Sequence, residues 1–156
     1  MSDISKKRNI GIYCGSFNPF HIGHLDVVNQ AIEVFDDVIV AKGINPEKEN
    51  LDKLDYPLPI NFLSRLGVKA VTYNTLLTDF VKIWEPEYNV TLVRGLRNGA
   101  DLEYEQNIVA FLKGMYHNIK VVAFYADPKY RHISSGAVRA IEKFSETEYK
   151  KYVVSN

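Results

Sequence analysis

The chain has 156 residues, 46% of them hydrophobic, with 19 basic and 19 acidic side chains and a formal net charge of zero. That length suits one domain, residues 1–156, around one core, and the charge balance excludes a global pull toward nucleic acid or an anionic membrane, so any anion binding must be local. The lone Cys14 excludes an intrachain disulfide, the apolar runs are too short to span a bilayer, and Met1–Arg8 is polar, so a cytoplasmic protein without nucleic-acid or membrane partners is expected.

Strand-like and helix-like segments alternate along the chain. Asn9–Cys14 is a short apolar run ending at Gly15, read as a buried strand. Leu25, Val28, Ile32 and Phe35 then recur at helical spacing, and Val38–Ala41 is a second strand. Gly43–Pro59, with three prolines and many charges, reads as a long loop, of a length often found in functional lids or in plain insertions. Ile60–Leu66 predicts a short helix stopped by Gly67, and Val68–Tyr73 a third strand. Thr75 is placed to cap a helix with Leu77, Phe80, Val81 and Trp84 on one face, ended by Pro86.

Val90–Val93 is a fourth strand, followed by a turn holding glycine and arginine. Ile108, Phe111, Leu112 and Met115 mark the apolar face of a helix ending near Gly114, and Lys120–Tyr125 is a fifth strand. Ser134 or Ser135 can cap a last helix with Ala137, Ile141 and Phe144 on its apolar face. This alternation predicts an α/β domain of Rossmann-like class, a five-stranded parallel sheet flanked by helices on both faces. In such sheets ligands bind beyond the carboxyl ends of the strands, so the residues after each strand hold the chemistry.

After the first strand comes Gly15-Ser16-Phe17-Asn18-Pro19-Phe20-His21-Ile22-Gly23-His24, leading into a helix. Gly15 permits a close turn and Gly23 a close backbone approach, and a helix start with free amides suits a phosphate. Ser16 adds a hydroxyl, and His21 and His24, three apart, can face one anion. Two such histidines also suit a metal, but no cysteine or carboxylate pair nearby completes a zinc set. After the fourth strand, Arg94 and Arg97 could grip two phosphates, or form an ion-pair cluster with Asp101, Glu103 and Glu105. After the fifth, Ser134 and Ser135 at a helix start could be a cap or phosphate donors.

The first of these strings resembles the signature of the nucleotidyltransferase superfamily with the histidine-x-glycine-histidine motif. Arg94-Gly95-Leu96-Arg97 through Glu105 is similar to the string that marks phosphopantetheine adenylyltransferases within it, and Ile133-Ser134-Ser135 resembles its second nucleotide-binding motif. The resemblance covers about Ile10 to about Phe144. It implies transfer of AMP from ATP to 4′-phosphopantetheine with release of pyrophosphate, giving dephospho-coenzyme A, with Mg2+ held mainly by the ATP phosphates and no protein-made metal site.

By position, the resemblance assigns Ser16 and His24 to the transferring phosphate and Lys48 to orienting the nucleophilic phosphate. Arg94 would hold the acceptor phosphate and Arg97 the ATP phosphates. Gly15, Phe17, His21 and Gly23 would lie along the ATP, Asp101 and Glu105 would face the nucleotide, and Ser134 and Ser135 would meet the β- and γ-phosphates. Leu76 and Leu77 would line the pantetheine arm, helix core being the alternative. A homo-oligomer, a hexamer, is also implied. Departures from the pattern are His21 in place of threonine, no paired glutamates in Pro57–Arg65, Leu112 in place of asparagine and Gly136 in place of a third serine. Asn18-Pro19-Phe20-His21 reads more like the nicotinamide-mononucleotide branch, so an adenylyltransferase making NAD is an alternative, and a non-catalytic nucleotide-binding paralogue a third.

Overall fold

The computed structural model describes residues 6–45 and 56–156. Its strands are β1 (Arg8–Gly15), β2 (Asp37–Gly43), β3 (Lys69–Tyr73), β4 (Tyr88–Leu96) and β5 (Val121–Tyr125). They form one sheet in the order β3-β2-β1-β4-β5, and every pairing is parallel. The helices are α1 (Ile22–Val34), α2 (Ile60–Arg65), α3 (Leu77–Trp84), α4 (Gly99–Met115), α5 (Ser135–Glu142) and α6 (Glu146–Tyr149). The five-stranded parallel α/β sheet expected from the alternation is therefore the fold.

Side chains alternate across the central strands, as the two-residue period of a strand requires. Tyr13, Val38 and Val40 join Val27, Val28 and Ala31 of α1 in one apolar cluster. Ile10, Ile12, Cys14, Ile39 and Ala41 join Phe80 and Val81 of α3 and Leu112 of α4 in the other. Each fully buried aliphatic side chain here contributes about 1.5–3 kcal/mol. Because β2 lies on one side of β1 and β4 on the other, the order in which strands are added to the sheet reverses between β1 and β4, where ligand crevices open in such sheets.

Several local expectations are corrected. Thr75 does not cap α3: its hydroxyl donates to the Leu76 carbonyl at 3.2 Å, and the N-cap, Leu76, makes no side-chain cap. Along α4 only Leu112 is buried, and Phe111 is 76% exposed, because α4 meets the sheet along a narrower strip than its apolar pattern suggests. In α5 the buried residue is Val138, whereas Ala137 is exposed and Phe144, beyond the helix, is 91% exposed. β4 runs on through Arg94, which pairs with Ala123 of β5, so only Arg97 sits on the turn. Gly67, with φ of +77°, ends α2 as expected. Of the Gly43–Pro59 loop, residues 46–55 lie outside the described residues, and Lys48 with them.

Candidate active site

A cleft of about 280 Å³ opens at the carboxyl ends of β1 and β4. Gly15, Ser16, Phe17, His21, Gly23, His24, Arg94, Arg97, Asp101, Glu105, Ser134 and Ser135 all line it. Residues 120 positions apart in sequence thus meet, because β1, β4 and β5 are adjacent and parallel. Leu76 and Leu77 do not line this cleft: Leu76 is 58% exposed, and Leu77 packs against the second apolar cluster. Spacing did not single out Tyr13, Cys14, Tyr104 and Tyr130, which also line it. Tyr13 and Cys14 read only as strand core, and Tyr104 and Tyr130 carry no signal beyond adjacency to the motifs.

The two histidines are locked to each other and to the start of α1. His21 is the N-cap, and its Nδ1 accepts from the amides of Gly23 at 3.0 Å and His24 at 3.4 Å. In return His24 Nδ1 accepts from the His21 amide at 3.0 Å. The rings stack with centroids 3.6 Å apart. A neutral imidazole that accepts at Nδ1 carries its proton on Nε2, so both histidines hold an Nε2–H as their free donor. A Cβ on Gly23 would stand 2.9 Å from His21 Cε1, so glycine is required there by the His21 ring.

These bonds revise the expected role of the helix start. The Gly23 and His24 amides are occupied by His21, and the Ile22 amide donates to Tyr152 O at 2.9 Å. The first turn of α1 therefore offers an anion the two imidazole N–H groups in place of bare amides.

Burial keeps both rings neutral. It is the main cause that pushes His21 down to about 4, with the positive Arg97 adding to it. His24 falls well below its ordinary value for the same first reason, with His21, Arg97 and Arg94 contributing. Phe17 and Phe20 pack on His24, with centroids at 4.9 and 5.3 Å. Phe17 sits there at φ of +45°, a conformation non-glycine residues adopt rarely.

The arginines are held in a common way. Arg94 donates from Nε and Nη2 to Glu105 at 2.8 and 2.7 Å, and from Nη1 to Cys14 O at 2.7 Å. Arg97 donates from Nε and Nη2 to Asp101 at 2.9 and 3.0 Å, and from Nη1 to Ile133 O at 3.2 Å. Burial works against the charge of Arg94, but the hydrogen bond and charge of Glu105 outweigh it, so the guanidinium stays charged. Asp101 is held low: its partial burial opposes this, and the Arg97 bonds prevail. A guanidinium has five N–H donors, so each arginine retains donors for an anion while a carboxylate fixes its plane. The arginine–carboxylate cluster is thus realised inside the cleft by Asp101 and Glu105, whereas Glu103 is exposed and does not line the cleft. Asp101 and Glu105 touch the arginines.

The serines are partly committed. Ser134 is the N-cap of α5, its oxygen accepting from the Ala137 amide at 3.1 Å, which leaves its O–H to donate. Ser135 spends its O–H on Pro19 O at 3.0 Å. Among the described residues no group of three or more His, Cys, Asp or Glu side chains could hold a metal ion. Nor is any helix among them long and apolar enough to cross a membrane.

The family described as cytidylyltransferase-like matches residues 12–141 of this chain. The phosphopantetheine adenylyltransferase of Porphyromonas gingivalis is 36% identical over 141 residues, covering 88% of this chain and 90% of that protein. The phosphopantetheine adenylyltransferase of Cytophaga hutchinsonii is 34% identical over 138 residues, covering 86% and 90%. Among solved structures, a putative nicotinate-nucleotide adenylyltransferase from Vibrio parahaemolyticus superposes with a TM-score of 0.64 at 22% identity, covering 94% of this chain and 87% of that one, a likeness of fold.

Proposed function

The chain belongs to the cytidylyltransferase-like family, and on that footing we propose that it transfers AMP from ATP to 4′-phosphopantetheine, yielding dephospho-coenzyme A and pyrophosphate. The observation that carries this reading is the cleft itself. Two neutral, stacked imidazoles and two pre-oriented guanidiniums converge on one space at the switch point of the sheet. Such donors, fixed before substrate arrives, are what phosphoryl chemistry needs, because its catalysis is positioning and stabilisation of oxygen charge.

In the proposed step an oxygen of the acceptor phosphate forms a bond to the α-phosphorus of ATP. The bond from that phosphorus to the bridging oxygen breaks, and its electron pair leaves with pyrophosphate. His24 Nε2–H and the Ser16 hydroxyl donate to the oxygens of the transferring phosphoryl group, and His21 Nε2–H donates to the triphosphate. Arg94 holds the acceptor phosphate and Arg97 the ATP phosphates, each kept in plane by its carboxylate, so Glu105 and Asp101 act here as orienting groups. The Ser134 O–H meets the β- or γ-phosphate. Lys48, outside the described residues, retains its proposed role on the nucleophilic phosphate.

By the resemblance, Mg2+ would enter this site carried by the triphosphate. When bound it neutralises charge on the phosphate oxygens. The reading extends to work in the cytoplasm and to a homo-oligomer, a hexamer by resemblance. Phe111 and Tyr125, 76% and 82% exposed on α4 and β5, are apolar surface of the kind subunit contacts cover. Light scattering on the purified protein tests that part.

The acceptor is tested by pyrophosphate release with ATP, Mg2+ and either 4′-phosphopantetheine or nicotinamide mononucleotide. Release with the first alone is expected. Release with the second alone would withdraw the acceptor assignment and leave adenylyl transfer standing.

A further inference from the structure

After α6 the chain runs back across the molecule to the His21–His24 motif. Tyr152 O accepts from the Ile22 amide at 2.9 Å, and the Val154 amide donates to Phe20 O at 3.1 Å. Between these bonds His21 and Val153 form an antiparallel bridge. The segment thus grips the backbone on both sides of His21, the residue whose imidazole caps α1 and stacks on His24. Val154 packs against the first apolar cluster, which includes Phe20, Leu58 and Leu63.

The same segment reaches a second element. Asn156 Oδ1 accepts from the amides of Asn61 at 2.9 Å and Phe62 at 3.4 Å, at the start of α2. That helix has no cap of its own, since its N-cap is Pro59 with no side-chain bond. Asn156 supplies from 95 positions away the acceptor that a local Ser or Asp would ordinarily provide.

We propose that Tyr152–Asn156 is a positioning strap for the active site: it fixes the backbone of His21, and through it the imidazole pair, and ties that motif to the start of α2. A helix start held only by its own cap frays readily, since its first amides have no intrahelical partner. Here the N1 amide of α1 is closed by Tyr152, which leaves the His21 ring free to hold the next two. With the strap released, the stacked pair loses its fixed place; because His24 of that pair faces the transferring phosphoryl group while ATP keeps Arg97 and Ser134, the loss falls on turnover more than on substrate binding. The cost of misplacing a group by about 1 Å is as much as a hundredfold in rate. The functional half of this inference rests on the adenylyl-transfer reading; the positional half does not.

The test uses two variants, truncation after Lys151 and Val154→Pro, which keeps the full length but removes the amide that donates to Phe20 and alters the side chain packed on the first apolar cluster. Turnover is measured with whichever acceptor the wild type uses. His21 is titrated by NMR without substrate, and its wild-type midpoint should be about 4. His24 and Arg97, the charged or titratable groups acting on it, are unchanged in both variants. Expected are a fall in kcat of about tenfold or more, an ATP KM held within about twofold, and a His21 midpoint moving up toward the ordinary ~6.5. Should the truncation not fold, Val154→Pro decides by the same readouts. A lowered melting temperature with kcat and the His21 titration unchanged would overturn the proposal and leave the strap a stability element. A wild type silent on every acceptor, but with His21 shifted in the variants, would sink the functional reading and spare the strap.

Discussion

Taking the protein from pH 7 to pH 5 should cost it about 2 kcal/mol of stability through His21 alone. The ring is 4% exposed and accepts two amide bonds at Nδ1, so protonating it means charging a buried group and giving up the cap. Its folded midpoint is about 4, against about 6.5 in the unfolded chain. Because the folded value is the lower, the unfolded state takes up the proton first as pH falls. Stability is therefore full above about 6.5, declines between about 6.5 and 4, and is lower by about 3 kcal/mol once both states are protonated. His24 is shifted the same way and adds to the decline. The assay is urea unfolding at pH 7, 6 and 5 at one protein concentration, followed by the fluorescence of Trp84, the single tryptophan. His21→Asn, which retains an acceptor for the cap and cannot titrate, separates this effect from that of the carboxylates. The variant should lose about 2 kcal/mol less than wild type between pH 7 and 5. Equal losses in the two proteins would refute the buried, neutral His21 on which the site geometry depends.

His24→Ala should lower kcat by roughly 10²–10³ while calorimetric ATP affinity falls far less, because a donor aimed at developing charge acts mainly in the transition state; unchanged turnover would remove its role. Arg94→Ala should raise the acceptor KM at least about tenfold and the ATP KM little, the loss expected of a charged hydrogen bond, and equal effects on both would mean the arginine is misassigned. Gly23→Ala puts a carbon 2.9 Å from His21 Cε1, and should cost about 1–3 kcal/mol in unfolding experiments with a matching drop in turnover; a fully active, stable variant would contradict the locked pair. Chelating Mg2+ should stop turnover without changing the circular dichroism spectrum, since no described cluster of side chains depends on a metal, and a spectral change would point to a structural ion.

The sheet was legible in the sequence because each of its strands is an apolar run bounded by glycine, proline or charge, signals local to a few residues. The motif residues were legible for a related reason: in a parallel sheet everything that follows a strand lands on one edge, so Ser16, Arg97 and Ser134 meet whatever their separation in sequence. What stayed hidden was partnership. Nothing local to Ile22 shows that its amide is closed by Tyr152, and the bond from Asn156 to α2 spans 95 positions. Thr75 had the residue type of a cap, but its hydroxyl turned to the Leu76 carbonyl. The apolar stripe of α4 predicts a buried face where only Leu112 is buried, since periodicity reports a face without saying what covers it. The resemblance places Asp101 and Glu105 against the nucleotide, while their residue types equally allow the ion-pair cluster that their bonds to Arg97 and Arg94 realise.

The central claim is adenylyl transfer to 4′-phosphopantetheine, and mass analysis of the products tests it most directly. Purified protein, ATP, Mg2+ and 4′-phosphopantetheine should give dephospho-coenzyme A and pyrophosphate in equal amounts. ATP left intact, or an adenylylated product formed only when nicotinamide mononucleotide is supplied, would contradict it.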